Sequence, residues 1–482
     1  MARITVGSVY FLRLDPVRWA EKQPFPPMGT LYAAGTLRAG GHEVAFFDTM
    51  IAGSVDEWDR FLDRARPDIA VLFDDNFNYL SKMCLSAMRE AGLVMAARAK
   101  ARGARVVVCS ADSSDHPELY LDAGADTVIA GEGEATLAEL VARWSEGNED
   151  LSGIKGLVFR DRSGLVRAPR RETMRDLDAL PPPAWDLVDM AAYRRIWREH
   201  HGFFALNLVT SRGCPYRCNW CAKPIWGQGY AVRSAAAVAE ELAGLLLLAD
   251  PDYLWFMDDI MGLKPRWWGE FADRLAELGV KLPFKCLSRA DLVLREGAVE
   301  DLKRAGCDIV WLGAESGSQK ILDAMDKDLS TGEIAEATAR LKAAGIRVGH
   351  FLQFGYPGEG MKEIGETLAM LRATRPDEMG ISVSYPLPGT PFYERVQNEL
   401  REKRNWEVSS DMAMLYRGPF STRFYRHLHT YVHRDFRLRR SVAQLKRLRG
   451  VRSLKAALFI LYCGVAIPLS WVKLQLLRGA PS

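Results

Sequence analysis

A chain of 482 residues is too long for one ordinary hydrophobic core and implies two or three domains. Its 48% hydrophobic and 26% charged residues are the composition of a globular protein, not of a disordered or fibrous one. The net charge is only +3, so a strong local excess of either sign stands out.

Five of the cysteines, Cys84, Cys109, Cys286, Cys307 and Cys463, are scattered singly among apolar neighbours. No disulfide framework is visible, and a reducing compartment is expected. Met1 to Val6 runs straight into a strand pattern without a charged-then-apolar leader, so the sequence predicts no signal peptide and a cytoplasmic location.

The first third alternates short β-rich runs with helical periodicity. Ile4 to Phe11, Glu43 to Phe47, Ile69 to Phe73, Arg105 to Cys109 and Thr127 to Ile129 are the strands, with helices such as Leu31 to Ala39 and Met83 to Arg102 between them. This is the pattern of a parallel, doubly wound, Rossmann-like α/β sheet. Such sheets take ligands beyond the carboxyl ends of their strands, which directs attention to the loops Arg13 to Met28, Asp74 to Leu80, Ser110 to Pro117 and Gly131 to Thr136.

Residues 146–200 are expected to connect domains, with a small hairpin around Gly156 to Arg167 and then three consecutive prolines, Pro181 to Pro183, that neither a helix nor an interior strand accommodates. From residue 201 to about 400, strands alternate with helices again. Including Ala205 to Thr210, six strands are predicted: the others are Tyr253 to Met257, Phe284 to Leu287, Ile309 to Leu312, Gly349 to Phe354 and Gly380 to Ser384. A partial (β/α)6 barrel is expected, with its chemistry at the carboxyl ends of the strands. Residues 401–482 read as a basic, partly apolar helical region.

Immediately after the strand-like run Ala205 to Thr210 come Cys214, Cys218 and Cys221, in a Cys-x-x-x-Cys-x-x-Cys frame. Three thiols are one ligand short of a closed tetrahedral site. A four-iron cubane held by three thiolates leaves one iron open to a small molecule, whereas structural zinc closes its shell with four protein ligands. A redox pair, a zinc fragment and three thiols in a turn are the other readings. No second Cys or Cys/His pair at finger spacing follows Cys221.

The frame resembles that of the radical S-adenosylmethionine (SAM) enzymes. The resemblance implies that Cys214, Cys218 and Cys221 hold a [4Fe-4S] cluster, that SAM chelates the open iron, and that Trp220 packs near the adenine. At the predicted strand ends it assigns the methionine ammonium to Asp258, Asp259 and the Met257 carbonyl, and the ribose hydroxyls to Glu315 in Gly-Ala-Glu-Ser-Gly. Arg289, a planar and always-charged fork, suits the cofactor carboxylate, with Ser288, Ser316 and Gln353 completing the polar rim. Asp258 and Asp259 can also be read as a divalent-metal pair, although nothing nearby completes an oxygen shell. The segments 355–359 and 385–391 look like turns closing the barrel mouth.

Pro26 to Gly35, Ser110 to Pro117 and Gly131 to Leu137 resemble the N-terminal cobalamin-binding domain (residues 1–145) of one class of radical SAM enzymes. On that resemblance Ser110, Asp112, Gly131 and Gly133 are cobalamin contacts. No Asp-x-His-x-x-Gly run follows an early strand, so cobalt without a protein histidine ligand is expected. Cys109 and Ser110 stand where relatives often carry paired glycines; Cys109 reads as a small core residue. His116, before Pro117, reads as a helix start rather than a cobalt ligand.

Between Arg417 and Lys455 twelve Lys or Arg face one acid, Asp435, and Ala456 to Val472 then runs without a charge. With Pro468 inside it, the run suits a helix in the membrane surface beside anionic headgroups; a core helix closing the barrel, or a nucleic-acid surface without a recognition motif, are the other readings. His427, His429 and His433 read as a polar helix face, although His429 and His433 at i, i+4 could share a metal.

The whole layout resembles cobalamin-dependent radical SAM enzymes of the group that includes the anaerobic protoporphyrin ester cyclases and the hopanoid and bacteriochlorophyll methylases. It implies methyl transfer to an unactivated carbon of a hydrophobic small molecule, or an oxidative cyclisation or rearrangement. It also implies a low-potential donor such as flavodoxin or ferredoxin; from the tail, peripheral contact at the inner membrane face is expected, and with no recognition motif no nucleic acid is expected.

Overall fold

The computed structural model describes the whole chain except residues 222–224, 446–450 and 480–482. The first five runs form β1 (Arg3–Gly7), β2 (Glu43–Phe47), β3 (Ile69–Phe73), β4 (Arg105–Cys109) and β5 (Thr127–Ile129), all parallel in the order β2-β1-β3-β4-β5. β3 is buried along its whole length, as expected of a strand with helices on both faces. β1 stops at Gly7, short of the predicted Phe11, because the Ser8 hydroxyl turns to donate to Asp74 Oδ1 at 2.6 Å.

The predicted helix from Met83 to Arg102 is broken. One turn covers Tyr79–Met83, Cys84 takes φ +47°, and a new helix runs from Ser86 to Ala101. The break is held from far along the chain: Asn405 Nδ2 donates to the Cys84 carbonyl at 2.8 Å, and the Ser86 N–H donates to the Trp406 carbonyl at 2.9 Å. No periodicity within the helix could reveal these partners.

The hairpin expected in the connecting segment is present as β6 (Leu157–Asp161) and β7 (Gly164–Arg167), and it extends the first sheet by pairing antiparallel with β5. A helix the sequence reading did not contain, Met190–His201, follows the prolines and is capped by Asp189 accepting from the Ala192 N–H at 3.0 Å. It ties back to the first domain, through Tyr193 OH donating to Asp48 Oδ2 at 2.8 Å and Trp197 Nε1 to the Pro24 carbonyl at 2.8 Å.

The second sheet is parallel and strictly sequential: β8 (Ala205–Leu208), β11 (Tyr253–Phe256), β12 (Phe284–Ser288), β13 (Cys307–Glu315), β14 (Arg347–Phe354) and β15 (Glu378–Val383). With its intervening helices it forms the expected open half-barrel. A small antiparallel pair, β9 (Ser211–Gly213) and β10 (Tyr230–Val232), brackets the cysteine segment.

Two long helices end the described chain. Thr422–Leu445 buries Phe424, Tyr425, Leu428, Tyr431 and Val432, with Tyr425 reaching the Gly355 turn, so it closes the barrel as a core helix would. Val451–Leu477, with Pro468 inside it, packs on that helix and leaves much of its apolar surface uncovered. The core-helix reading of the tail fits the first of these two helices. Of the basic belt, Lys446, Arg447 and Arg449 lie outside the described residues.

The proline bridge lies directly on the helix Met28–Ala39. A Cβ at Gly35 would stand 2.1 Å from the Pro182 carbonyl oxygen, and the Ala184 N–H donates to the Leu31 carbonyl at 3.1 Å. Gly35→Leu is therefore expected to lift the bridge and make residues 176–186 the first site of limited proteolysis; cleavage no faster than in the unsubstituted protein would contradict this packing.

Candidate active site at the junction of the two sheets

The cysteine segment is fixed ahead of Cys214 and within itself by buried polar groups. Before it, Asp258 Oδ1 accepts from the Thr210 N–H at 2.8 Å, from the Ser211 hydroxyl at 2.8 Å, and from the Thr210 hydroxyl and Ser211 N–H. Asp258 is buried, its Oδ2 has no partner among the described residues, and desolvation against these hydrogen bonds pushes its carboxyl up to about 6. Within the segment Asn219 is the anchor. Its amide donates to the Ala324 carbonyl at 2.9 Å and Asp326 Oδ2 at 2.8 Å, its Oδ1 accepts from Tyr356 OH at 2.6 Å, and its carbonyl accepts from the Phe392 N–H at 3.0 Å. The Gly355 turn and the start of the helix Pro391–Val396, which follows the second expected turn, thus close onto the residue between Cys218 and Trp220.

Arg212, two residues before Cys214, joins the two sheets. Its Nη1 lies 2.5 Å from Glu132 Oε1 and its Nη2 2.7 Å from Glu134 Oε1, with side-chain exposures of 4%, 7% and 5%. Glu132 Oε2 also accepts from the Met174 N–H at 2.5 Å. Burial lifts the Glu132 carboxyl above its ordinary range against the pull of Arg212; burial alone would lower Arg212, and the two carboxylates more than restore it. The same face carries Phe77 against Trp226, ring centroids 5.0 Å apart, and an ion pair from Lys82 to Asp259.

The remaining predicted residues cluster at the mouth, many with partners of their own. Glu315, at φ +57°, accepts from Lys327 Nζ at 2.8 Å, both side chains being buried. Burial works against the Lys327 ammonium, but Glu315 and then Cys218 hold it charged above its usual range. Lys327 was missed in sequence because it sits in a short loop between two aspartates at positive φ, Asp326 and Asp328. Arg289 is stacked 3.6 Å from the Tyr216 ring centroid, and its fork donates to Asp291 and to the carbonyls of Lys327 and Asp328 at 2.7–3.0 Å, so its donors hold the same loop. The Ser288 hydroxyl donates to the Met261 carbonyl at 3.0 Å, Ser316 meets Thr367 at 3.2 Å, and Gln353 donates to Ser384 at 3.0 Å. Met257 is buried with its sulfur 3.0 Å from Asn207 Nδ2. The Trp220 ring is half-buried and its Nε1 has no partner among the described residues.

At the carboxyl edge of the first sheet, Ser110 and Ser113 form a reciprocal cap, each hydroxyl accepting from the other's N–H at 2.9 Å. Asp112 is bound by Arg89 and by Tyr120 OH at 2.8 Å; burial would raise it, yet Arg89 holds it below the ordinary range. Gly131 takes φ +95°. A Cβ at Gly133 would stand 2.6 Å from both Cys109 Sγ and the Phe73 ring, so the glycine serves this packing, and Cys109 is a core residue as expected. His116 stands at the junction of two short helices, where its N–H donates to the Asp112 carbonyl at 2.8 Å and its side chain makes no cap hydrogen bond. Asn76, at the end of β3, is buried with its Oδ1 unpartnered among the described residues.

No three His, Cys, Asp or Glu side chains converge on a single-ion site among the described residues. A cubane takes one thiolate per iron and so spreads its ligands over three corners, which is the donor set Cys214, Cys218 and Cys221 offer. Midway along the strands, back from the carboxyl ends, one face of the second sheet is aromatic. Trp311 and Phe351 lie 4.6 Å apart between ring centroids, over Gly349 and Gly380, where a Cβ would meet those rings at 2.4 and 3.1 Å. Lys285, lowered to about 8 by burial, sits 4.1 Å from the Trp255 ring centroid.

The Radical SAM superfamily matches residues 208–371 and the B12 binding domain matches residues 21–141, together more than half of the chain. The chain is a radical SAM protein with a B12 binding domain. This radical SAM chain is 29% identical over 58% of its length to an uncharacterised methyltransferase of Pyrococcus horikoshii, and 26% identical over 57% to an anaerobic magnesium-protoporphyrin IX monomethyl ester cyclase of Cereibacter sphaeroides. It spans only 60% and 45% of the length of those two proteins. The hopanoid C-3 methylase of Methylococcus capsulatus is 27% identical over 83% of this chain and 72% of its own. Among solved structures, the cobalamin-dependent SAM radical enzyme OxsB with aqua-cobalamin bound superposes with a TM-score of 0.73 at 19% identity, over 98% of this chain and 72% of that one. The two-domain fold expected from sequence is the one observed.

Two outcomes follow from this geometry. Asn219→Ala, which leaves all three cysteines in place, is expected to weaken iron retention after reconstitution roughly 10–100-fold, the effect of losing a ligand-orienting partner. Iron content equal to that of the unsubstituted protein would remove Asn219 from this role. Glu359 is buried with its Oε2 accepting from the Gly355 N–H at 2.6 Å, and burial raises its carboxyl from 4.5 to about 8. A raised carboxyl makes the folded state hold a proton that the unfolded chain releases, so stability falls as pH rises from about 4.5 to 8. Glu359→Gln should gain stability over the parent toward pH 8 and none near pH 4, read from urea midpoints; a parallel pH dependence of the two would contradict it.

Proposed function

We propose that this protein is a cobalamin-dependent radical SAM enzyme that methylates an unactivated carbon of a hydrophobic small molecule. One observation carries the reading: Arg212, in the strand leading into the three cysteines, is ion-paired to Glu132 and Glu134 in the glycine loop of the B12 binding domain. The segment suited to a cluster and the sheet edge suited to cobalamin thereby share one interface. When bound, the cluster supplies the electron that cleaves SAM to a 5′-deoxyadenosyl radical, and cobalamin supplies the methyl group.

Cys214, Cys218 and Cys221 would hold the cluster, and Asn219 and Asp258 fix where their sulfurs point. Glu315 and Trp220 are assigned to the ribose and adenine of SAM. Asp258 is assigned to the methionine ammonium through its unpartnered Oδ2, with Asp259 and the Met257 carbonyl nearby. Gly131, Gly133, Ser110 and Asp112 shape the sheet edge assigned to cobalamin, and Asn76 presents an unpartnered amide oxygen there. The Trp311–Phe351 surface receives the apolar body of the substrate and helps exclude water from the mouth. An electron donor of the flavodoxin or ferredoxin kind, a cytoplasmic location and a contact with the inner membrane face through the C-terminal helices complete the reading.

Anaerobic reconstitution with iron, sulfide and hydroxocobalamin, followed by mass spectrometry of SAM products, tests it. Both 5′-deoxyadenosine and S-adenosylhomocysteine are expected with a hydrophobic substrate extract, and Cys214→Ala, Cys218→Ala or Cys221→Ala should abolish the 5′-deoxyadenosine. 5′-Deoxyadenosine without S-adenosylhomocysteine would replace methylation by a cyclisation or rearrangement, the activity in the cyclase relative's name. Absence of both products would defeat the enzymatic reading.

A further inference from the structure

The helix Val451–Leu477 presents an apolar stripe to solvent. Over Ala457–Leu477 its mean hydropathy reaches 1.8, yet only 17% of that stretch is buried. Leu458, Leu461, Val465, Leu469, Val472 and Leu476, spaced three or four residues apart and so on one side of the helix, are 56–76% exposed. The opposite side is held along the preceding helix: Cys463, Ser470 and Leu474 are buried, Trp471 lies 5.4 Å from Tyr431 between ring centroids, and Arg434 donates to the Ser470 hydroxyl at 3.0 Å. A helix pinned lengthwise in this way lies flat against the domain and cannot stand upright as a span while those contacts last.

Beside the stripe is a cleft of about 390 Å³ between the two helices. His429, His433, Arg434 and Arg437 line it from one helix, Phe459 and Tyr462 from the other, and no acidic residue lines it among the described residues. The two imidazoles are 4.3 Å apart between centroids. Burial, then Arg437, holds His429 below its ordinary value, and burial, then His429 and Arg437, holds His433 at about 4. An apolar stripe rimmed by Arg434 and Arg437, neither of which has a carboxylate partner among the described residues, is complementary to an anionic bilayer surface.

We propose that the two C-terminal helices form a membrane dock in which the stripe enters the headgroup–acyl boundary of an anionic phospholipid bilayer and the cleft takes a headgroup phosphate. The proposal extends the membrane-contact part of the reading above and is separable from its chemistry, because docking needs no cluster or cobalamin. Flotation of the full-length protein with phosphatidylglycerol-containing vesicles and with pure phosphatidylcholine vesicles tests it. Recovery is expected only with the anionic vesicles, and Leu461→Glu with Val465→Glu, or Arg437→Glu alone, should reduce it about tenfold or more while circular dichroism and SAM cleavage in solution stay unchanged.

Equal recovery on neutral vesicles, or undiminished recovery of either variant, would overturn the proposal. So would protein that resists alkaline carbonate extraction, which would indicate a span. Inorganic phosphate that shifts the His429 and His433 resonances without vesicle binding would make the cleft a free-anion site and overturn it too.

Discussion

The buried Glu132–Arg212–Glu134 ion pair is the constraint on which the arrangement of this molecule turns. One guanidinium, almost fully removed from water, satisfies two carboxylates from another domain. Each group alone would be costly to bury, and breaking such a set typically costs about 3–5 kcal/mol because it strands a charge. The two domains therefore cannot slide or separate by a few ångströms at low cost. The rigid point of the junction is also two residues from the first cysteine, so the geometry between cluster segment and first sheet is set by electrostatics, with apolar packing of Phe77 and Trp226 around it.

Around that point the mouth is organised by side chains that hold loops. Asp258 gathers the turn ahead of the cysteines, Asn219 gathers the end of the helix Gln319–Ala324, the Gly355 turn and the start of the helix Pro391–Val396, and Arg289 spreads its fork over the Lys327–Asp328 backbone. A loop that carries three cysteines outside any helix or strand cannot rely on a regular hydrogen-bond ladder. Its order comes from polar groups buried beside it, each with several partners, which is how a site on loops approaches the precision of one on strands.

The alternation of strands and helices was legible because the central strands of the first sheet, β3 and β4, are Val/Ile-rich runs buried on both faces, and the strands of the second sheet recur between helix-period segments. The three cysteines were legible because their spacing is local. What sequence hid is what tertiary contact creates. The helix break at Cys84 depends on residues some 320 positions away. Lys327 and Asn219 look like ordinary polar loop residues until the fold brings them to Glu315 and Tyr356. Glu132 and Glu134 looked like part of a ligand loop, and nothing within Gly-Glu-Gly-Glu announces an arginine 80 residues later.

The stitch at Cys84 bears on the order in which the protein is made. Asn405 follows Cys84 by 321 residues, so at roughly 5–20 residues per second the first domain leaves the ribosome about 16–64 s before its broken helix gains those partners. Through that interval the Cys84 carbonyl and the Ser86 amide must turn to water. The B12 binding domain is thus finished by the last fifth of the chain, and the complete protein closes a seam that its nascent form leaves open.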